Sequence, residues 1–199
     1  MTYRIKVPPR TLPTDEAHLV SGLEHWMLGL HKYRWAILVG CALLIVVSAG
    51  IWAVLWYDGQ NAATAQDLER EATRHLFTRP SNDPKKIDMN VKEAVTLYKR
   101  VVEDYPRTPS APLALFGMGN ALLQSNDVDA AIESYKRFIT TYGSNAQLLG
   151  LVQQKLAYAY LVKGDTDQAA KAYAAVLDIQ GSSNRDYALF ELAKLEENR

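Results

Sequence analysis

Apolar residues run without a charge from Trp35 to Trp56, reading WAILVGCALLIVVSAGIWAVLW. As a helix rising about 1.5 Å per residue, that stretch spans about 33 Å, the thickness of a hydrocarbon core. A soluble helix of such length carries a polar face, and this one has none. The pattern predicts a transmembrane helix over 35–57, with Trp35, Trp52, Trp56 and Tyr57 towards its ends, where amphipathic rings favour the headgroup layer. A cleaved secretory signal fits poorly, because the head before the run is long and the run exceeds the usual apolar length. Cys41 lies inside the run with apolar sequence after it, so it reads as a small membrane residue and not as a lipidation site.

On the N-terminal side, Pro8, Pro9 and Pro13 predict an extended tail. Thr14 suits an N-cap, and Leu19, Leu23, Trp26, Met27 and Leu30 follow helical spacing. Residues 1–34 are therefore expected to form a tail with an amphipathic helix, lying on the membrane surface or against a partner protein. Beyond the span, 61–77 is rich in helix formers and is followed by the polar loop Arg79-Pro80-Ser81-Asn82-Asp83-Pro84. This predicts a helical linker and proline-containing loop over 58–90.

The remaining residues, 91–199, repeat themselves. Leu115, Met118, Gly119 and Leu122 stand in register with Gln153, Leu156, Ala157 and Tyr160, an offset of 38. The register continues through Ala131 and Ala169, Tyr135 and Tyr173, Phe138 and Val176, and closes on Gly143 and Gly181. A half-copy precedes them in Ala94, Tyr98 and Val101, with 61–77 as its expected first helix. Another follows, in which Ala188-Leu189-Phe190-x-Leu192-Ala193 echoes Ala114-Leu115-Phe116-x-Met118-Gly119. Paired small residues let two helices approach closely, and a stack of such hairpins buries apolar faces that one copy cannot bury alone.

This pattern resembles the tetratricopeptide-repeat family, and the expected fold is all-α: one transmembrane helix followed by an α-solenoid of helical hairpins. The resemblance implies repeat-packing roles for Gly119, Ala131, Tyr135, Ala157, Ala169, Tyr173 and Ala193. It also implies an inner groove lined by the first helix of each unit. The expected binding residues are Phe116, Asn120, Leu123 and Gln124, then Gln154, Tyr158, Leu161 and Val162, then Phe190 and Lys194. Such a groove is apolar with amide groups and suits hydrophobic peptides or a partner helix. Phe116 and Gly117 stand where a basic carboxylate clamp would need polar or basic residues. The order of parts is similar to the ancillary subunit of the bacterial Sec translocon, a family of membrane-anchored repeat proteins. The Asp104-Tyr105-Pro106 stretch is similar to repeats of envelope-assembly and cell-division coordinators as well.

Charge adds orientation. Lys+Arg and Asp+Glu both number 22, so no basic excess points to nucleic acid. Arg4, Lys6, Arg10, Lys32 and Arg34 precede the span, and the first basic residue after it is Arg70. The positive-inside rule then places the N-terminus in the cytoplasm and the repeats outside it, which in a bacterial inner membrane means the periplasm. The single cysteine forms no intrachain disulfide. Neither a Walker loop, a Gly-x-Ser-x-Gly elbow nor a His-Glu-x-x-His motif is present; of His18, His25, His31 and His75, the first two are seven apart and fit one helical face, where membrane-surface histidines are more often solvated than metal ligands. The expectation is a non-enzymatic scaffold without cofactor. Its partners are other proteins, the membrane through 35–57, and helices of a membrane complex approaching Ser48, Ala49 and Gly50. Two roles fit: an accessory of the translocon or of envelope chaperones, and a structural accessory subunit of another multi-subunit inner-membrane complex.

Overall fold

A computed structural model describes residues 33–78 and 83–197. The amphipathic helix expected before Tyr33, with His18, His25 and His31, lies outside the described residues. These residues form seven α-helices and no strand. They are α1 (Arg34–Phe77), α2 (Pro84–Asp104), α3 (Ser110–Gln124), α4 (Val128–Tyr142), α5 (Ala146–Lys163), α6 (Thr166–Leu177) and α7 (Arg185–Glu197).

The chain divides into two compact units between Leu55 and Trp56. In the first, the described residues are the apolar beginning of α1, and their side chains are exposed, Leu44 by 67% and Val46 by 71%. The Ser48 hydroxyl is satisfied inside the helix by donating to the Ile45 carbonyl at 3.0 Å. Among the described residues α1 is the one helix long and apolar enough to cross a membrane.

The second unit starts at Trp56 and stacks successive helices against one another. Local chemistry sets the helix ends. Asp83 caps α2 by accepting from the Lys85 amide at 3.1 Å, with Pro84 at the first helical position, where a missing N–H costs nothing. The boundary expected at 90/91 consequently falls inside α2: the second proline of the polar loop opens a helix and does not break one. Asp127, Asn145 and Asp165 cap α4, α5 and α6 in the same way. Asn126 and Gly164 hold the left-handed conformation at the α3–α4 and α5–α6 turns, with φ of 62° and 88°. In each turn the next residue's amide reaches back to a carbonyl of the preceding helix, Asp127 to Leu122 and Asp165 to Tyr160, both at 2.9 Å. The two turns are copies at the same offset of 38 as the side chains.

Alanines and aromatics fill the core between helices. Ala94, Ala131 and Ala169 are fully buried on α2, α4 and α6, and Tyr135, Phe138, Tyr173 and Val176 are buried beside them. The end of α1 pairs with α2 as the first helix of a hairpin. Ala65 and Ala72 are buried, Thr73 and Tyr98 share a hydroxyl–hydroxyl hydrogen bond of 2.9 Å, and His75 meets Glu93 at 3.1 Å.

Candidate protein-binding groove

Close packing draws the helices of each unit together. A Cβ placed on Gly119 would lie 2.5 Å from the Tyr135 ring, so the bare backbone of α3 lets that ring sit flat against it. Gly117 makes the same concession to Tyr98, at 2.6 Å. Gly119, Ala131, Tyr135, Ala157, Ala169 and Tyr173 are all buried. Ala193 is exposed instead, and Ala188 is the buried small residue of α7. The reason is positional. The Gly119 position faces the second helix of its own unit, and among the described residues no helix follows α7, leaving only its α6-facing side covered.

The expected groove residues separate into two groups. Phe116, Asn120, Leu123, Gln154 and Leu161 are half-buried. Phe116 tilts against Tyr135 with ring centroids 6.3 Å apart, and Asn120 Oδ1 accepts from the Tyr135 hydroxyl at 2.8 Å. Gln154 Oε1 accepts from Asn184 Nδ2 at 2.7 Å, and the same amide reaches the Gly150 carbonyl at 2.8 Å. These side chains support the surface more than they present it. Gln124, Tyr158, Val162, Phe190 and Lys194 are exposed, Tyr158 by 50% and Phe190 by 65%. Gln124 lies apart from the others, in a cleft of about 310 Å³ with Asn126 and the start of α2.

Three further exposed apolar residues belong to the same register: Leu113, Leu151 and Tyr187, each three positions before Phe116, Gln154 and Phe190. The repeat alignment already contained them. Leu151, Tyr158 and Val162 share one stripe of α5, at spacings of seven and four.

Tyrosine hydroxyls add polarity at the base of this surface. Three in equivalent positions of successive units meet different surroundings: Tyr98 binds Thr73, Tyr135 binds Asn120, and the buried Tyr173 hydroxyl, with the Tyr187 hydroxyl near it, makes no well-formed hydrogen bond among the described residues. Burial pushes all three upward in pKa; Thr73 partly opposes this at Tyr98, and Tyr187 and Glu191 add to it at Tyr173. Tyr158 stands where Asn120 stands one unit earlier, which removes the amide that would have met Tyr173. Tyr187 packs edge-on to Tyr173 with centroids 6.3 Å apart. Among the described residues no three His, Cys, Asp or Glu side chains gather to hold a metal.

The family described as the SusR N-terminal TPR domain matches residues 86–198, more than half of the chain. No curated protein matches. Among solved structures, that of MamA is similar at 21% identity and a TM-score of 0.39, over 70% of this chain and 92% of MamA.

Proposed function

The chain belongs to the family of the SusR N-terminal tetratricopeptide-repeat domain, and from that premise we propose that it is a membrane-anchored scaffold whose repeats bind partner proteins. Tetratricopeptide-repeat scaffolds are generally non-enzymatic. The observation that carries the reading is the exposed apolar surface of the repeat helices, Leu151, Tyr158 and Val162 on α5 with Tyr187 and Phe190 on α7. Exposed rings and aliphatic side chains on a rigid helical frame fit an apolar peptide or a partner helix, with Tyr158 and Phe190 as anchors. Anchoring is assigned to residues 35–57. An apolar, unburied helix surface of this length is costly in water and costs nothing in lipid. The basic residues before the span favour an N-terminus in the cytoplasm, with the repeat domain, from the hairpin of α1 and α2 onwards, in the periplasm of a bacterial inner membrane.

In this reading the protein is an accessory of the Sec translocon or of envelope chaperones, holding clients transiently. A second reading is favoured by one observation: Leu189 and Ala193 leave a side of α7 uncovered, as suits a subunit docked permanently in a larger inner-membrane complex. Affinity purification from membranes in mild detergent, with cross-linking and mass spectrometry, separates them. Substoichiometric translocon subunits and chaperones, cross-linked beyond Tyr57, support the first. One other complex recovered in fixed ratio supports the second, and recovery of neither in cross-linked membranes refutes the scaffold reading.

A further inference from the structure

The second unit contains a cleft of about 570 Å³ at its Trp56 end, between α1 from Tyr57 to Ala62 and the stretch Asp104–Pro109, which ends α2 and joins it to α3. Its place along α1 is informative. Hydrocarbon accounts for about 30 Å of a bilayer about 40–45 Å thick, leaving roughly 5–8 Å of headgroup layer on each side. At about 1.5 Å per residue, α1 crosses that layer within some five residues of Trp56, the stretch that walls the cleft.

The cleft carries three charged side chains, of which Asp104 is turned to Arg100 on its own helix at 3.6 Å, leaving two without an ion pair. Arg107 projects from the loop and Asp58 from α1; both are exposed, and among the described residues neither makes an ion pair. Asn61, one turn on from Asp58, lines the same wall. The loop is held in place: the Tyr142 hydroxyl donates to the Pro106 carbonyl at 2.8 Å, and the Thr108 hydroxyl to the Tyr105 carbonyl at 2.8 Å. Pro106 and Pro109 stiffen it further. Between the walls, Gly59 leaves open space, since a Cβ there would meet nothing within 4 Å.

We propose that this cleft binds the headgroup of a zwitterionic aminophospholipid, with its phosphate on Arg107 and its ammonium on Asp58 and Asn61. A guanidinium matches phosphate oxygens through charge-assisted hydrogen bonds. A carboxylate beside an amide oxygen accepts N–H bonds that a primary ammonium donates and a quaternary one does not. An anionic lipid lacking the amine would leave Asp58 facing like charge. The inference rests on the membrane-anchor reading.

Native mass spectrometry of the full chain in detergent tests it, with phosphatidylethanolamine, phosphatidylcholine and phosphatidylglycerol of identical acyl chains offered together. The wild type should retain phosphatidylethanolamine over both competitors. Arg107→Ala should lower that retention about tenfold, the loss expected for one charge-assisted hydrogen bond. Asp58→Asn should abolish the preference over phosphatidylcholine. A wild-type preference for phosphatidylglycerol, or unchanged retention in either variant, overturns the site. Retention of water-soluble glycerophosphoethanolamine as tight as that of the lipid would assign the cleft to a free phosphoamine and overturn it as well. Alkaline extraction of membranes tests the anchor separately. A chain that stays in the pellet but shows no headgroup preference loses only this site, and a chain released to the supernatant loses the anchor too.

Discussion

The three equivalent tyrosines turn one substitution into three different outcomes. Tyr135→Phe removes a hydrogen bond to Asn120, whose half-buried amide loses its donor; a loss of about 1 kcal/mol is expected. Tyr98→Phe should lose less, because Thr73 keeps a second partner in Glu69 at 3.0 Å. Tyr173→Phe should have the opposite sign. Its hydroxyl is buried without a well-formed hydrogen bond, a state that costs about 1–3 kcal/mol, and deleting one oxygen forfeits only a few dispersion contacts. A gain of about 1 kcal/mol is the net expectation. For a repeat unit of this size, 1 kcal/mol moves the melting temperature by about 4 °C. Thermal unfolding of the full chain in detergent, followed by helical circular dichroism, should place the variants in the order Tyr135→Phe, Tyr98→Phe, wild type, Tyr173→Phe. A Tyr173→Phe variant that melts as low as Tyr135→Phe would mean that the Tyr173 hydroxyl is bonded in solution, and the account of the three sites would fail.

Gly119→Ala gains about 1 kcal/mol of helix propensity but drives a methyl into the Tyr135 ring, which is buried and tied at its hydroxyl; a net loss of about 1–2 kcal/mol is expected, and a raised melting temperature would refute it. Alkaline pH should destabilise the repeats, because Tyr98, Tyr135 and Tyr173 hold their protons more tightly folded than unfolded. Their contribution is complete below the unfolded pKa of about 10 and is lost as pH rises through the folded values. The tyrosinate absorbance of these residues should therefore appear together with loss of helix, and full ionisation of every tyrosine in an intact helical protein would contradict it. Tyr158→Ala and Phe190→Ala should each weaken partner recovery about tenfold without releasing the chain from membranes, and unchanged recovery in both would mean a different surface is used. A C-terminal alkaline phosphatase fusion should be active; a stable but inactive fusion would reverse the orientation.

Much of the fold was legible because period and chemistry agreed. Gly119, Ala131, Tyr135 and Phe138, recurring at an offset of 38 as Ala157, Ala169, Tyr173 and Val176, mark the helix pairs, and all eight are buried. The α2 start was harder to read. A proline after an aspartate looks like a loop until the aspartate side chain is seen accepting from Lys85. The paired turns at Asn126-Asp127 and Gly164-Asp165 also pass unnoticed, because asparagine and glycine reach the same left-handed conformation by different routes. For the expected groove residues, periodicity supplied a register and could not supply their exposure. Periodicity puts Phe116 and Tyr158 on similar faces, yet Phe116 leans on Tyr135 while Tyr158 stands free of such a contact. Ala193 shows the same limit on α7, where the repeat supplies a packing position and the described residues supply nothing to pack against it.

Successive contact has a kinetic consequence. Because each repeat helix leans chiefly on its neighbours in sequence, local opening starts where one neighbour is missing and spreads inward. Among the described residues α7 is covered on one side only, and the α6–α7 contact contains the unpaired Tyr173 hydroxyl. Amide hydrogens of α6 and α7 should therefore exchange well before those of α3 to α5. The exposed rings of Tyr187 and Phe190 stand on this most labile section, so a partner seated there would slow the fraying. Part of its binding free energy would go into holding the end of the stack closed, and its grip would tighten with anything that stabilises α7.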